Sequence, residues 1–295
     1  MDILVVSILF ILGLCAGSFA GATVWRLRAN QLVEDKADGE RVNKYEYDIL
    51  LPLTKETITT DRSRCLHCGH TLAWYDLLPL VSWISTGGRC RYCHQFIGWF
   101  EPLMEVGAAL LFVISFLFWP FPLSEWLQIG VFALWLIAAI LLVILFAYDI
   151  KWFLLPNRIV FPLVSVSLLI ALAQVGMSPD WTLSLISVFG AVLILSGLYL
   201  LLWLVSKGEW IGFGDVKLGL ALALLLADWK LAFLCLFMAN LIGLIVVVPG
   251  MTMGKITRKT RVPFGPLLIV SAVITLLFGT RIIEWYLSSV GHFVF

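Results

Sequence analysis

The sequence predicts an all-α polytopic membrane protein with about eight transmembrane helices and a small cytoplasmic zinc-binding domain inserted after the first helix. Two observations support this fold class. Hydrophobic residues make up 61% of the 295-residue chain and charged residues only 13%. A water-soluble domain of this composition would have to expose large apolar patches on its surface. The one long polar segment, residues 26–101, contains four closely grouped cysteines.

Charge-free runs long enough to cross a hydrocarbon core of ~30 Å predict seven helices. An eighth, shorter run follows Gly214 and ends at Ala227. Only twelve residues separate Asp215 from Asp228, and a helix of that length spans roughly 20 Å. One of these two aspartates must therefore be recessed into the membrane, and the glycines beside Asp215 favour it. The long runs are residues 3–25, 106–124, 126–148, 159–179, 181–206, 231–254 and 262–280.

The distribution of basic residues predicts the orientation. With the N-terminus outside, the segments that face the cytoplasm hold 18 of the 20 Lys and Arg residues, as the positive-inside rule requires. Only Lys230 and Arg281 fall on the other side. The cytoplasmic segments are residues 26–101, 148–158, 206–217 and 255–261.

This pattern divides the chain into three parts: a first transmembrane helix at 1–25, a cytoplasmic domain at 26–101, and a seven-helix bundle at 102–295. Residues 30–60 are polar with little periodicity, and we expect a surface loop there. In the first helix, glycines recur at four-residue spacing, which favours close packing of another helix. They are Gly13, Gly17 and Gly21.

Two CxxC pairs separated by 21 residues predict a zinc site, because zinc ribbons hold four thiolates at such spacing. A pair of disulfides is the alternative, but the predicted orientation places these thiols in a reducing compartment, where structural disulfides are rare. Four thiolates leave no open coordination position, so the zinc is expected to be structural. The ligands are Cys65, Cys68, Cys90 and Cys93.

Asp149 and Asp215 are the candidate functional acids, because a carboxylate at bilayer depth is costly to bury. Asp149 directly follows the apolar run that ends at residue 148, and an interfacial charge at a helix end is its simpler interpretation. Asp215 ends the motif Gly212-Phe213-Gly214-Asp215, whose glycines leave room for a substrate backbone. The chain contains neither HExxH nor GxSxG, so paired carboxylates remain as the catalytic candidates.

Several motifs, in order over nearly the whole chain, resemble the type IV prepilin peptidases, aspartyl membrane proteases of the GxGD class. The resemblance implies that Asp149 and Asp215 are catalytic. The motifs are Gly17-Ser18-Phe19, the two CxxC pairs, Asp149 with Pro156-Asn157, the GxGD motif with Lys217, and Pro263-Phe264-Gly265-Pro266. The residues expected to support the site are Gly212, Gly214, Lys217, Asn157, Pro263 and Gly265.

The resemblance implies an endopeptidase of the bacterial inner membrane that removes the basic leader of prepilins or pseudopilins, cutting after a glycine at the cytoplasmic face. Many members also methylate the new N-terminus with S-adenosylmethionine. Two departures argue against strong methyl transfer here: Gly21 replaces the usual Asn, and Phe100-Glu101 replaces the usual Arg-Tyr. The expected partners are prepilin substrates and the lipid bilayer, with no nucleic acid.

Helix ends predict unequal roles for the two aspartates. Asp149 lies at a helix C-terminus, where the macrodipole opposes negative charge, and Asp215 precedes a helix N-terminus, where it favours negative charge. Asp149 is therefore the expected acid and Asp215 the base.

Three alternatives are a proton-coupled transporter, a non-catalytic zinc-ribbon adaptor and a GxGD protease of the presenilin type. The transporter would need polar residues in several spans. The adaptor gives no reason for a recessed Asp215, and the cysteine cluster and motif order argue against the presenilin type.

Overall fold

The computed structural model describes residues 3–54, 62–254 and 262–291, which are helical apart from turns and two isolated antiparallel bridges. Contacts divide the chain into two compact units, Met1–Phe116 and Leu117–Phe295. The helices are α1 (Ile3–Ala37), α2 (Lys44–Leu50), α3 (Val81–Ser85), α4 (Phe100–Leu117), α5 (Trp126–Trp152), α6 (Asn157–Met177), α7 (Trp181–Val192), α8 (Leu198–Ser206), α9 (Phe213–Leu226), α10 (Trp229–Thr252) and α11 (Phe264–Gly291).

Seven helical segments in the described part of the chain are long and apolar enough to cross a membrane, and the 14-residue α9 is the shorter eighth one. The all-helical prediction is therefore confirmed. One of the seven segments, Trp181–Ser206, joins α7 to α8 through a π-helical turn at Leu193–Gly197. Nothing in the apolar run predicted that turn.

The predicted surface loop at 30–60 is wrong for its described part. The first helix continues past the apolar run to Ala37, because Ala29 and Leu32 keep helical spacing and are buried against Leu50 of α2. The side chain of Asn43 caps the start of α2 by accepting from the N–H groups of Tyr45 and Glu46. Residues 55–60 lie outside the described residues.

The glycine stripe of α1 packs against α4 within the first unit, as its spacing predicts. A Cβ atom on Gly17 would overlap the main chain of Met104 and Glu105, and one on Gly13 would overlap that of Ala109. Gly21 has more room, since the nearest atom to such a Cβ is 3.9 Å away, in the Met104 side chain.

In the second unit, α9 lies at the centre of the helices. It packs against α6, α7, α8, α10 and α11, and its residues from Val216 to Leu226 are almost all buried. A helix that is apolar on every side is stable only inside such a bundle. The central position explains how a helix too short to span the bilayer is kept in place.

Candidate active site and cysteine cluster

Asp149 occupies the last turn of α5 and is only 6% exposed. The helix ends at Phe153, a left-handed residue with φ of 56° whose N–H donates to the main-chain oxygen of Asp149 at 2.9 Å. The N–H of Gly265, at the start of α11, faces the Asp149 carboxylate. A Cβ on Gly265 would lie 2.5 Å from Asp149 Oδ2, so a side chain at this position would displace that carboxylate.

Asp215 occupies the first turn of α9, with the extended residue Gly212 as the N-cap. The Asp215 N–H donates to the Gly212 oxygen at 3.1 Å, and the Gly212 N–H faces the Asp215 carboxylate. A Cβ on Gly212 would lie 3.7 Å from Asp215 Oδ2, an ordinary contact. Each aspartate is thus paired with a glycine N–H supplied by a neighbouring loop or helix end.

Both carboxylates line one cavity of about 680 Å³ in the second unit, and they interact electrostatically. They are 66 positions apart in the sequence (215 − 149), and the end of α5 and the start of α9 border the same cavity. Three further polar side chains that the sequence patterns did not predict line the same cavity. They are Tyr199, Glu209 and Asn240.

A signal for two of these missed residues exists in the sequence, since Tyr199 and Asn240 are polar groups inside charge-free apolar runs. Such groups in a membrane segment are candidates for a functional site. Periodicity alone cannot tell which of them faces the cavity, because the π-helical turn before α8 changes the register of the residues that follow.

The predicted supporting residues divide into two groups. Gly212 and Pro263 line the cavity, and Gly265 borders Asp149. Gly214, Lys217 and Asn157 are not among the described residues that line it.

The second group holds the helices around the site. The Lys217 ammonium donates to the Asn157 side-chain oxygen, which connects α9 to the start of α6. A Cβ on Gly214 would come within 3.2 Å of the Leu155 side chain, so this glycine allows close packing beside the aspartate.

Asp228, the other candidate for the recessed acid, caps α10. Its carboxylate accepts from the N–H groups of Lys230 and Leu231 at 2.7 and 3.1 Å. This is an ordinary N-cap arrangement, which accounts for an acid at that position.

The four cysteines form one compact cluster in the first unit. Their Sγ atoms all lie within 4.8 Å of one another, and Cys65 Sγ and Cys93 Sγ are 3.9 Å apart. Tetrahedral zinc with Zn–S bonds of about 2.3 Å places sulfur atoms about 3.8 Å apart, close to that spacing. All four are free thiols. The arrangement can therefore bind a metal ion, and the cluster consists of Cys65, Cys68, Cys90 and Cys93.

Each CxxC pair lies in a tight turn closed by one of the isolated bridges, Arg64 with Thr71 and Arg89 with Phe96. In the second turn, burial opposes ionisation of the Cys90 thiol, but N–H groups of Cys93 and Tyr92 and the neighbouring thiols lower its pKa. In the first turn, burial raises the pKa of the Cys65 thiol. Inward-pointing N–H groups are what a turn that binds a metal through thiolates requires.

Asp76 holds the second cysteine turn in place. Its carboxylate accepts from Arg91 Nε and the Tyr92 hydroxyl at 3.0 Å each, and from the Ala73 N–H at 3.2 Å. Burial opposes ionisation of this carboxyl, but the hydrogen bonds from Arg91 and Tyr92 outweigh it and hold its pKa below the usual range.

The fold and the site together define a polytopic helical membrane protein with two acids in one cavity and a separate four-thiol cluster. Residues 11–119 match the bacterial peptidase A24 N-terminal domain, and residues 136–248 match the type IV leader peptidase family. The chain belongs to the type IV leader peptidase family and is a multi-pass membrane protease. This membership excludes the transporter and adaptor alternatives.

Among curated relatives, the prepilin leader peptidase/N-methyltransferase of Pseudomonas aeruginosa is 31% identical over 293 residues, which cover 95% of this chain and 93% of the relative. The protein of the same name from Aeromonas hydrophila is 30% identical over 292 residues, covering 96% and 94%. That of Dichelobacter nodosus is 30% identical over 275 residues, covering 91% and 90%. No solved structure shows a significant match.

Proposed function

We propose that this peptidase removes the basic leader of type IV prepilins or pseudopilins, with Asp149 and Asp215 as its catalytic pair. The supporting observation is that the two carboxylates line one cavity, each facing a glycine N–H. The same cavity has an apolar wall from α8 and α10, which suits the hydrophobic segment that follows a prepilin leader. The names of the curated relatives point to the same substrate class.

The helix ends assign the roles of the two acids. Asp149 lies in the last turn of α5, where the macrodipole opposes negative charge, so it carries the shared proton. Asp215 lies in the first turn of α9, where the macrodipole favours negative charge, so it is the base. Two neighbouring carboxylates that share one proton are the arrangement that aspartyl proteolysis requires.

In the first step, water attacks the scissile carbonyl carbon while Asp215 takes a proton from that water. The electron pair of the C=O bond moves to the carbonyl oxygen, which takes the proton of Asp149 and gives a neutral gem-diol. In the second step, Asp215 gives its proton to the leaving nitrogen as the C–N bond breaks, and a gem-diol proton returns to Asp149. The products are the leader carboxyl group and a new amino terminus, and the pair regains its starting protonation.

The glycines beside the two carboxylates favour a substrate that binds in an extended conformation. Gly212 and Gly265 border the carboxylates without side chains, so a peptide backbone can approach the acids closely. A prepilin junction with a glycine before the scissile bond is correspondingly easy to extend. The presenilin-type alternative, which cuts within transmembrane helices, does not account for the cysteine cluster.

The protein resides in the bacterial inner membrane with its N-terminus outside. The excess of Lys and Arg in residues 26–101, 148–158, 206–217 and 255–261 supports this orientation. Residues 255–261 lie outside the described part of the structure. The domain division at 1–25, 26–101 and 102–295 follows from the same orientation, which leaves the cysteine cluster and both aspartates on the cytoplasmic side.

The cysteine cluster binds one structural Zn²⁺. The sulfur spacing and the inward N–H groups support a closed tetrahedral site without an open position for substrate. When bound, zinc supplies folding energy to a segment with a small apolar core. Cys65, Cys68, Cys90 and Cys93 hold it.

S-adenosylmethionine is the proposed methyl donor for a second, weak activity. The first unit contains a cavity of about 170 Å³ lined by Glu101 and Glu105, and one oxygen of Glu101 is buried without a partner among the described residues. A buried carboxylate oxygen fits a cationic ligand, and this donor carries a sulfonium and an ammonium group. When bound, it would supply the methyl group for the new N-terminus.

Co-expression with a candidate prepilin tests the peptidase proposal. The wild-type chain should convert the prepilin to a shorter product on a gel, and mass spectrometry should place the cut directly after the leader glycine. A prepilin in which that glycine is replaced by Val is the matched control and should stay uncut. An unchanged wild-type prepilin, with the peptidase present in the membrane fraction, would overturn the proposal.

A further inference from the structure

One buried hydroxyl in the cavity of the two aspartates has no role in the scheme above. Tyr199, the second residue of α8, lines that cavity and is only 4% exposed. Its hydroxyl oxygen is buried and has no hydrogen-bond partner among the described residues. Buried polar groups nearly always have a partner, so an orphan donor in an active-site wall requires an explanation.

Folding does not explain this hydroxyl. The Tyr199 ring packs edge-on against Phe264, with centroids 5.7 Å apart and planes at 65°. A phenylalanine at this position would make the same ring contact and would bury no unpartnered polar atom. The hydroxyl therefore reduces the stability of the folded state, and its role must lie in the chemistry.

The fold holds Tyr199 in a defined position relative to Asp215. The Ser196 hydroxyl, in the π-helical turn, donates to the Val216 oxygen at 3.0 Å, one residue after the aspartate. A Cβ on Gly219 would overlap the Leu195 oxygen, so α9 lies directly on that turn. The phenol of Tyr199 interacts electrostatically with the Asp215 carboxylate.

We propose that Tyr199 is a positioning residue for Asp215: its hydroxyl donates to the Asp215 carboxylate when a peptide fills the cavity, and keeps that carboxylate ionised as the base. Hydrogen bonds of this kind commonly tighten only in the substrate complex. A donor to the charged form of a carboxylate favours that form. This inference rests on the proposed catalytic pair.

The other titratable groups around Asp215 do not replace this donor. Asp149 of α5 and Glu209 of the loop before α9 are acids. The Lys217 ammonium on α9 is bonded to Asn157. Cys235 of α10 is a buried thiol whose Sγ lies 3.9 Å from the Leu268 oxygen. On the described parts of the elements packed around it, Tyr199 is thus the one neutral hydroxyl donor that lines the cavity.

The test compares the full-length Tyr199→Phe variant with wild type in purified form, using a prepilin as the substrate. We expect kcat to fall about tenfold to 100-fold, the effect of losing one hydrogen bond to a charged group. KM should change less than about threefold. The acidic limb of the kcat profile should move to higher pH by about one unit, because the base then protonates more readily. The thermal midpoint should stay unchanged or rise.

Tyr286→Phe is the matched control, because its side chain is 59% exposed on α11, and it should behave like wild type. A wild-type kcat and pH profile in Tyr199→Phe would overturn the inference. A lower kcat accompanied by a lower thermal midpoint and an unmoved acidic limb would also overturn it, since the hydroxyl would then be structural.

The Asp149→Asn and Asp215→Asn variants separate the two proposals. If they cleave prepilin normally, the catalytic pair itself is wrong. If they are inactive while Tyr199→Phe matches wild type, only the role of Tyr199 is wrong.

Discussion

The cysteine cluster and the aspartate cavity differ in how they are built and in what they leave open. The four thiols come from two tight turns within 29 residues of sequence (65 to 93), and they point at one another. The two aspartates come from helices far apart in sequence and face a cavity of about 680 Å³. A cluster closed by its own ligands stabilises a fold, whereas acids that face open space can act on a substrate.

This difference predicts that substitutions of the two aspartates abolish peptidase activity without unfolding the chain. Asp149→Asn and Asp215→Asn each keep the side-chain shape but remove one carboxylate of the pair, so prepilin cleavage should fall by roughly 10³-fold or more. Expression and zinc content should persist in both variants. Cleavage is measured by gel shift and single-turnover kinetics.

Asp228→Asn is the control for these two substitutions. Asparagine is as good an N-cap as aspartate, so α10 should be unaffected and cleavage unchanged. Near wild-type cleavage in either dyad variant would contradict the assignment.

Substitutions of the clustered cysteines should instead reduce the stability of the first unit. In the Cys65→Ser, Cys68→Ser double variant, the zinc content of purified protein should fall from about one ion per chain to near zero, because four thiolates are needed to close the site. The first unit should become protease-sensitive, since structural zinc stabilises the fold directly. Elemental analysis and limited proteolysis measure the two effects.

Cys15→Ser, a substitution at an exposed thiol of α1, should retain the metal. Stoichiometric disulfides without metal in the wild-type protein would show that the zinc assignment is wrong.

Glycine substitutions sharpen the comparison within the cavity. A methyl group on Gly265 would lie 2.5 Å from Asp149 Oδ2, whereas one on Gly212 would lie 3.7 Å from Asp215 Oδ2. Gly265→Ala should therefore displace the acid and reduce kcat about 100-fold, because small misplacements of reacting groups are costly. Gly212→Ala should reduce kcat less than tenfold.

Gly130→Ala on α5, where an added Cβ meets nothing within 4 Å, should leave cleavage unchanged. Equal losses in Gly265→Ala and Gly212→Ala would argue against a steric effect at Asp149.

Measuring methyl transfer tests whether the first unit has an activity in addition to binding structural zinc. We expect wild-type protein to leave most of a processed pilin unmethylated. Restoring the residue usual in the family at one of the two departures, with Gly21→Asn, should raise the methylated fraction several-fold. A Cβ atom fits at Gly21, since the nearest atom to it is 3.9 Å away. Mass spectrometry of the pilin N-terminus decides the outcome, and full methylation by the wild type would contradict the prediction.

The smallest expected effect concerns Asp76, which holds the second cysteine turn. Asp76→Asn weakens the bonds from Arg91 and Tyr92 and should cost about 1 kcal/mol at pH 7, a modest value because Arg91 is half exposed. The lowered pKa keeps this carboxyl ionised well below neutrality. Its contribution is therefore fully present above about pH 4, the ordinary pKa of an aspartate, and is lost as the pH falls further.

The midpoint of thermal zinc release should accordingly be a few degrees lower in Asp76→Asn than in wild type, by the same amount at pH 7 and pH 5. A difference that vanishes at pH 5 would show that Asp76 is not the group responsible. Asp180→Asn, at the N-cap of α7 in the other unit, serves as a control and should not change zinc release.

The sequence by itself determined the helical membrane class and both sets of chemical groups. Apolar runs of 20 residues or more and CxxC pairs are local patterns, and lipid or zinc is the environment that such patterns fit. The prediction that Asp215 is recessed also came from length alone, because too few residues separate it from Asp228 for a full span. The structure gives Asp228 a different role, as a helix cap.

Only the tertiary structure decided which groups meet. The continuation of α1 to Ala37 depends on the packing of Ala29 and Leu32 against Leu50. The polar composition of residues 30–60 did not indicate this contact. The requirement for glycine at 265 arises from the Asp149 carboxylate, more than a hundred residues earlier in the chain. Tyr199 reaches the cavity because a π-helical turn shifts the register of α8, and Ser196 joins that turn to α9. Each of these contacts joins segments that are remote in sequence. Tertiary packing therefore determines them, and local periodicity does not.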